Sequence, residues 1–257
     1  MTESPVALLT GAGSGIGEAI AQTLAKQGYQ LLLCGRRRDA LAAVRDTVMA
    51  ATPELSPHAI RISPGDVCQA GQCQAWVTEA LDAWGRVDVL VNNAGVAGKI
   101  GLLHEVDEAT VHRILDTNVK GALFLMQAVL QQAMIPQSLN KTTGTSGNAP
   151  GTIININSIA GQEAFPYWAV YDASKFALRA LTQAVAEEQR SNGIRVVGIH
   201  PGAVRTPIWD QLDLAQAPQW EHMLLPDDVA RAVAYVLAQP PHVVVPELTI
   251  TPVQPAL

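Results

Sequence analysis

The chain has 257 residues, of which 48% are hydrophobic and 16% are charged, so it can bury the core of one large domain. Its formal net charge of −6 argues against a partner such as nucleic acid or an anionic membrane, which a basic face would bind. The three cysteines are too few for a disulfide framework, and Cys68 and Cys73 have no nearby Cys or His to complete a zinc site. We therefore expect a single domain over residues 1–257 with no metal.

The start of the chain carries an acid and a proline, whereas a signal peptide begins with basic residues and continues into a long apolar run. The longest nearly apolar stretch, residues 121–130, is too short to span a membrane. We therefore expect a cytoplasmic protein that contacts no membrane.

Short runs rich in Val, Ile and Leu alternate along the chain with amphipathic stretches. The runs predict buried strands over residues 6–10, 30–34, 58–62, 87–91, 152–157, 194–199 and 248–251. The amphipathic stretches predict a helix beginning near Ile16 and helices over residues 38–50, 69–84, 109–135, 171–191 and 227–238. This alternation is typical of an α/β fold with a Rossmann-like, doubly wound parallel sheet of about seven strands and helices on both faces.

Residues 136–151 are polar and rich in Gly, Thr, Ser and Asn, without periodicity. They predict a surface loop between a helix and a strand, on the edge of the sheet that faces away from the ligand crevice.

The first strand runs into a glycine-rich loop, Gly11-Ala12-Gly13-Ser14-Gly15-Ile16-Gly17, and a helix follows. Glycines at this place allow a tight turn and let backbone N–H groups approach a pyrophosphate at the helix N-terminus. The spacing Gly-x-x-x-Gly-x-Gly differs from the Gly-x-Gly-x-x-Gly of long dehydrogenases. The loop predicts a nucleotide site at the end of the first strand.

Tyr171 and Lys175 are four residues apart at the start of a helix, so their side chains share one face. A free tyrosine has a pKa of about 10, and a neighbouring ammonium group lowers that pKa. The pair can then donate a proton to a nascent alkoxide or remove one from an alcohol. Ser158, at the end of a strand, can hydrogen-bond the reacting oxygen.

Several motifs, in order along almost the whole chain, resemble those of the short-chain dehydrogenase/reductase family. They are the loop Thr10 to Gly17, Asn92-Asn93-Ala94-Gly95, Asn118, Ser158, Tyr171-x-x-x-Lys175, and Pro201-Gly202 with Thr206. The resemblance implies a catalytic tetrad in which Asn118 opens its helix to a water relay and Lys175 also holds the nicotinamide ribose. It implies a nicotinamide dinucleotide bound by Gly11, Ser14, Gly15, Ile16, Gly17, Arg36, Asp66, Val67, Asn93, Ala94, Gly95, Tyr171, Lys175, Pro201, Gly202, Val204 and Thr206.

The end of the second strand predicts which dinucleotide is bound. NAD-binding proteins of this fold place an acid there to hold the ribose 2′-hydroxyl, but this chain has Gly35. Arg36 beside it suits the 2′-phosphate of NADP, which a guanidinium binds bidentately. The sequence therefore favours NADP(H) over NAD. The alternatives for Arg36 are a solvated basic patch or stacking on the adenine of either cofactor.

Three other residues have open or ordinary interpretations. Asp66 is either an adenine contact, as the resemblance implies, or the N-cap of the following helix. Tyr167 lacks a lysine four residues later, so it is interpreted as a pocket residue. His200 and His222 have no evident partner in the sequence and are interpreted as ordinary histidines.

The resemblance places the variable substrate loop at residues 203–225. This loop and the segment before Tyr171 are rich in aromatic and aliphatic residues, namely Phe165, Tyr167, Trp168, Trp209, Leu212, Leu214, Trp220, Met223 and Leu224. We expect an NADP(H)-dependent oxidoreductase that acts on an apolar or aromatic carbonyl or alcohol and forms a homotetramer or homodimer. The alternatives are a 3-ketoacyl-thioester reductase and a non-catalytic dinucleotide-binding sensor.

Overall fold

The computed structural model describes residues 4–98, 101–139, 151–212 and 219–254. Within them the chain forms one parallel sheet of seven strands. The strands are β1 (Val6–Thr10), β2 (Gln30–Gly35), β3 (Ile60–Pro64), β4 (Val89–Asn92), β5 (Thr152–Ile156), β6 (Arg195–Pro201) and β7 (Glu247–Ile250). The predicted fold class and strand number are confirmed, although the strand predicted at 58–62 begins two residues later.

The strand order is β3-β2-β1-β4-β5-β6-β7. The chain runs outward from β1 to β3 and then crosses back to place β4 on the other side of β1. The order therefore reverses between β1 and β4, and in such sheets ligands bind beyond the carboxyl ends of the strands at this switch point.

Helices connect the strands. They are α1 (Gly15–Lys26), α2 (Arg38–Ala51), α3 (Ala70–Trp84), α4 (Glu108–Leu115), α5 (Ala122–Val129), α6 (Ile135–Leu139), α7 (Ala169–Glu188) and α8 (Pro226–Leu237). Alternate residues of each strand point to opposite faces, so Ala7 and Leu9 pack with α1, α2 and α8, whereas Leu8 packs with α3 and α5. Two buried apolar cores thus hold the sheet from both faces. Among the described residues, no helix is long and apolar enough to cross a membrane.

The helix predicted over residues 109–135 differs from the expectation in two ways. Wider π-helical turns interrupt it at Asp116–Gly121 and Leu130–Met134. The helix also continues through α6, so residues 136–139 of the predicted loop are helical instead. Pro136 lies just after the second π-helical turn and has no N–H to donate to it. The remainder of that predicted loop, residues 140–150, lies outside the described residues.

Candidate active site

The glycine-rich loop turns sharply between β1 and α1. Gly11 and Gly15 have φ angles of 63° and 57°, in the left-handed region that favours glycine. A Cβ at Gly17 would lie 2.2 Å from the Gly11 carbonyl oxygen, so the first turn of α1 packs directly on the loop backbone. Ser14 is the N-cap residue of α1, and its hydroxyl caps no N–H of this fully described helix. The helix N-terminus therefore presents backbone donors and a hydroxyl group together.

Side chains at the ends of β1 and β4 hold this loop in place. The Thr10 hydroxyl accepts hydrogen bonds from the backbone N–H groups of Asn93 and Ala94, at 3.0 and 3.1 Å. The Asn93 amide donates to the carbonyl oxygens of Thr10 and Gly11, at 3.0 and 3.2 Å. Asn93, predicted to bind a cofactor, thus also fastens the glycine-rich loop to the neighbouring strand.

A cleft of about 490 Å³ opens at the carboxyl ends of the strands around the switch point. The residues predicted to bind a cofactor that line it are Gly11, Ser14, Gly15, Ile16, Arg36, Asp66, Val67, Asn93, Ala94, Gly95 and Thr206. Those predicted residues that do not line it are Gly17, Tyr171, Lys175, Pro201, Gly202 and Val204. The loop after β6 reaches the cleft through Thr206, whose side chain lies against Gly15.

The far end of the cleft carries two guanidinium groups. Gly35 ends β2, and the exposed Arg36 and Arg37 after it both line the cleft. Asp66, which follows the neighbouring strand β3, also lines the cleft, and its carboxylate accepts a hydrogen bond from the Cys68 N–H at 3.0 Å. The N-cap interpretation of Asp66 is wrong, because α3 begins at Ala70 with Gln69 as its N-cap residue.

Tyr171 and Ser158 lie next to each other near the carboxyl end of β5. Ser158 follows β5 and the Tyr171 side chain rises from the first turn of α7, and the two side chains are hydrogen-bonded. The Ser158 hydroxyl also accepts a hydrogen bond from the Ala160 N–H at 3.1 Å. The two predicted residues are therefore brought together, with Ser158 anchored by its own short 3-10 turn, Ile159–Gly161.

Lys175 lies one turn further along α7 and is buried. Its ammonium nitrogen donates to the carbonyl oxygen of Ile156 at 3.2 Å and lies 5.7 Å from the centroid of the Tyr171 ring. A Cβ at Gly95 would lie 3.9 Å from that nitrogen, so Lys175 reaches the border of the cleft.

The proton affinities of the pair are set by burial. Burial raises the pKa of Tyr171 to about 12, and the hydrogen bond with Ser158 opposes this rise. Burial lowers the pKa of Lys175 to about 8. The expectation that Lys175 lowers the pKa of Tyr171 is therefore wrong for this geometry, because the cost of removing the phenolate from water outweighs the attraction of a cation beyond the ring.

Asn118 lies in the first π-helical turn, beside this pair. Its side-chain oxygen accepts from the Val96 N–H at 2.8 Å, and its amide donates to the Val96 carbonyl at 2.9 Å and to the Ser174 hydroxyl at 3.0 Å. The Ser174 hydroxyl in turn donates to the Tyr171 carbonyl at 2.6 Å. Asn118 therefore links the loop after β4 to the first turn of α7, and Ser174 is a member of this network that the sequence analysis missed.

Aromatic rings flank Tyr171 on its exposed side. The Trp168 ring lies 5.5 Å from the Tyr171 ring and 6.3 Å from the Trp209 ring, in edge-to-face arrangements. Met223 is buried and Leu224 packs against the main core, so these two residues of the predicted substrate loop support the fold. Leu214 lies outside the described residues.

His200, interpreted from the sequence as an ordinary histidine without an evident partner, has one in the structure. It is fully buried near the end of β6, and its Nδ1 lies 3.2 Å from the Ser158 carbonyl oxygen. No motif marks this contact, because β5 and β6 are distant in sequence. In the part of the chain that the structure describes, no cluster of His, Cys, Asp and Glu could hold a metal ion.

The comparisons with known proteins agree with this geometry. The family model described as short chain dehydrogenase matches residues 5–217. An uncharacterised oxidoreductase of Staphylococcus saprophyticus is 35% identical over 251 residues, which cover 98% of each chain. The crystal structure of an alcohol dehydrogenase from Thermococcus sibiricus, complexed with 5-hydroxy-NADP, is 30% identical with a TM-score of 0.82, covering 98% of this chain and 97% of that one.

A 3-ketoacyl-(acyl-carrier-protein) reductase from Brucella melitensis, complexed with NADH, is 27% identical with a TM-score of 0.84, covering 97% of each chain. The family match, the level of identity and the shared fold point in the same direction. The chain belongs to the short-chain dehydrogenase/reductase family of NAD(P)-dependent oxidoreductases.

Proposed function

We propose that this protein is an NADP(H)-dependent reductase or dehydrogenase that interconverts an apolar or aromatic carbonyl compound and its alcohol. The observation that carries the proposal is the group of Tyr171, Ser158 and the buried Lys175, which lies beside a cleft that begins at a glycine-rich helix N-terminus. The start of α1 lines the cleft through Ser14, Gly15 and Ile16, and the backbone donors of this helix N-terminus support a pyrophosphate site there.

The catalytic chemistry follows from the positions of these side chains. A bound nicotinamide would supply the hydride for reduction or accept it in oxidation. Tyr171 carries its proton at neutral pH, as a tyrosine with the usual pKa of about 10 also does, so it is the acid that protonates the carbonyl oxygen. Ser158, hydrogen-bonded to Tyr171, polarises the same oxygen. Lys175 brings a positive charge close to the alkoxide and reaches toward the ribose from the edge of the cleft.

Asn118 supports this arrangement in the proposal. It occupies a π-helical turn, a feature that is frequent at functional sites. Its hydrogen bonds to Val96 and Ser174 keep α7 in register with the loop after β4. We assign to it the water relay that connects Lys175 with solvent.

The proposal favours NADP(H) over NAD. No carboxylate stands at Gly35 to accept the ribose 2′-hydroxyl or to repel a 2′-phosphate. Arg36 and Arg37 line the same end of the cleft and provide guanidinium donors for the phosphate. The similar enzyme from Thermococcus sibiricus was solved with an NADP derivative, whereas that from Brucella melitensis was solved with NADH, so the local residues decide the assignment.

The surroundings of Tyr171 support an apolar substrate. Trp168 and Trp209 form an aromatic wall next to its ring, and the Trp209 indole N–H is already satisfied by the Val204 carbonyl at 2.7 Å. The loop after β4 exposes Leu102 and Leu103, and Gly101 in that loop donates a hydrogen bond to the Tyr167 carbonyl. Apolar walls around a few polar groups are typical of sites for carbon-rich ligands.

The similarity to a 3-ketoacyl reductase favours a second candidate, a 3-ketoacyl-thioester reductase. Both candidates are tested by offering NADPH with a panel of aliphatic ketones, aryl ketones, aldehydes and a 3-ketoacyl thioester, and following the nicotinamide absorbance. We expect the fastest turnover with aryl or bulky aliphatic carbonyls. A protein that binds NADPH and reduces no member of the panel would be a dinucleotide-binding sensor, and a marked preference for the thioester would establish the second candidate.

We also propose a homotetramer or homodimer in which α7 pairs between subunits. Ala169, Ala173, Phe176 and Ala180 are exposed at helical spacing along one side of α7. Phe176 alone is 41% exposed, which is costly for an aromatic ring facing water. Light scattering coupled to size exclusion measures the mass, and Phe176→Glu should shift it toward the monomer.

A further inference from the structure

Ser158 is held at three points, and two of them lie in its own turn. The hydroxyl accepts from the Ala160 N–H at 3.1 Å, a contact local to the sequence. The carbonyl oxygen accepts from the Gly161 N–H at 2.9 Å, which is also a local contact. The same oxygen faces His200 Nδ1 at 3.2 Å, and this is the contact that ties Ser158 to β6. The backbone of Ser158 is extended, with φ of −166° and ψ of 160°.

The surroundings of His200 determine how its ring is used. Because a carbonyl oxygen only accepts, Nδ1 must carry the hydrogen in this contact. The other nitrogen, Nε2, is buried without a hydrogen-bond partner among the described residues. Burial lowers the pKa of His200, and the cations Arg179 and Lys175 on α7 act in the same direction while Glu247 on β7 opposes them. The ring is therefore a neutral donor directed at Ser158.

The absence of a side chain at Gly198 leaves space for the His200 ring. Gly198 lies on the same face two residues earlier, and a Cβ there would stand 2.8 Å from His200 Nε2. A buried Nε2 without a partner costs free energy that an apolar residue at this position would not. The presence of a polar ring at this position despite that cost indicates that its other nitrogen, Nδ1, has a role.

We propose that His200 is a positioning residue for Ser158: its Nδ1–H holds the Ser158 carbonyl, and thereby keeps the Ser158 hydroxyl directed at the Tyr171 hydroxyl. The inference rests on the proposed function, because it assigns His200 a role only through Ser158 and Tyr171. His200 touches neither the cleft nor Tyr171, and its effect on catalysis is indirect.

The test compares His200→Leu with His200→Asn in the full chain, using NADPH and the best carbonyl substrate of the panel. Leu removes the donor, and we expect kcat to fall roughly 10- to 100-fold, the scale of a misplaced catalytic group, while KM and the NADPH Kd change less than about threefold. Asn places an amide nitrogen at the position of Nδ1 and should restore kcat to within about threefold of the parent. If the Leu variant does not fold, His200→Gln, whose amide reaches toward the Nε2 position, should show the same loss of kcat.

Two further measurements separate positioning from a structural role. Val196→Ala opens a cavity on the same face of β6, and it should lower the Tm without lowering kcat. In a Ser158→Ala background, His200→Leu should lower kcat by less than about threefold further, because the group that it positions is gone. An unchanged kcat in His200→Leu, or an equal loss with and without Ser158, would overturn the inference.

Failure of the role of His200 can be distinguished from failure of the proposed function. If Ser158→Ala and Tyr171→Phe strongly lower turnover but His200→Leu does not affect it, only the role of His200 is wrong. If the parent reduces no carbonyl, or if Tyr171→Phe retains parent activity, the proposed function fails and the inference fails with it.

Discussion

The glycine-loop end of the cleft is lined by a tight backbone turn and exposed arginines, whereas the neighbouring Tyr171 end is formed by ionisable side chains, of which Lys175 is buried. Gly11, Gly15 and Gly17 act by having no side chain, so their effect is steric. Tyr171 and Lys175 act through proton affinities that burial has moved to about 12 and about 8. The glycine loop depends on the absence of side chains, whereas the Tyr171 end depends on ionisable side chains whose charged forms are destabilised by burial. Substitutions at the glycine-loop end should therefore change mainly cofactor binding, whereas substitutions at the Tyr171 end should change the rate and the pH dependence of stability.

The largest expected effect is on the rate at the Tyr171 end. Tyr171→Phe removes the acid and keeps the ring, so kcat should fall roughly 100- to 10,000-fold, while the NADPH Kd stays within about twofold. Steady-state kinetics and fluorescence titration measure the two quantities. A folded variant that turns over like the parent would show that the buried pair is not the catalytic group.

The next effect is on stability and is opposite in sign to the usual result of a core substitution. In the folded chain Lys175 has a pKa of about 8, against 10.5 when unfolded, so the unfolded state binds more protons between these pH values and stability rises with pH across that window. Below pH 8 the full free-energy cost of burying the charged Lys175 side chain is present. Lys175→Met should therefore stabilise the fold at pH 7, by at most about 3 kcal/mol. The advantage should shrink as the pH approaches 10.

Urea denaturation between pH 7 and 10 measures this difference. Lys26→Met, which replaces an exposed lysine at the end of α1, is the control and should change the free energy of unfolding at pH 7 by less than about 0.5 kcal/mol. A Lys175→Met variant that is less stable than the parent at pH 7 would mean that the Ile156 contact outweighs the cost of burial.

Cofactor preference tests the opposite end of the cleft. A charge-assisted hydrogen bond contributes roughly 1.5–3 kcal/mol, so Arg36→Ala should lose a preference for NADPH of about 10- to 100-fold, and Gly35→Asp should shift the enzyme toward NADH. The measurement is kcat/KM with each cofactor. Arg45→Ala, on α2 and paired with Asp46 outside the cleft, should keep the parent preference. A parent that prefers NADH would contradict the NADP assignment and leave the Tyr171 chemistry intact.

The smallest effect concerns Ser14. Loss of an N-cap side chain typically costs about 1 kcal/mol, but the Ser14 hydroxyl caps no N–H of the described helix α1. Ser14→Ala should therefore change the free energy of unfolding by less than about 0.5 kcal/mol, and raise the NADPH Kd roughly two- to tenfold through one lost hydrogen bond. Asp107→Ala is the matched control, because Asp107 does cap α4, at 2.7 Å from the Thr110 N–H. It should lower stability and leave the NADPH Kd unchanged.

The features that the sequence predicts well are those encoded locally. Buried strand runs and the Gly-x-x-x-Gly-x-Gly spacing are contiguous, and the separation of Tyr171 and Lys175 is one helical turn. These local patterns therefore do not depend on contacts with distant parts of the chain. The seven-stranded sheet and the lining of the cleft by Gly11, Ser14 and Gly15 follow from such signals.

The features that the sequence does not predict depend on contacts between distant segments. The direction of the Tyr171 pKa shift depends on burial, which the spacing of Tyr171 and Lys175 does not reveal. The contact between His200 and Ser158 joins neighbouring strands 42 residues apart. The roles of Asn93 and Ser174 arise in the same way, from hydrogen bonds that close only after the sheet and helices have assembled.

The two π-helical turns between α4 and α6 also determine which deletions this segment can tolerate. A residue removed from a helix rotates everything on one side of it by about 100°, since a helix has 3.6 residues per turn. A deletion in Leu130–Met134 would rotate α6, whose Gln137 side chain accepts from the Val87 N–H at 2.9 Å and donates to the Val87 carbonyl at 3.0 Å. In Asp116–Gly121 the same deletion would turn Asn118 away from Val96 and Ser174. The extra residue in the first turn is thus tied to the candidate site, whereas the one in the second is tied to the contact between α6 and the segment before β4.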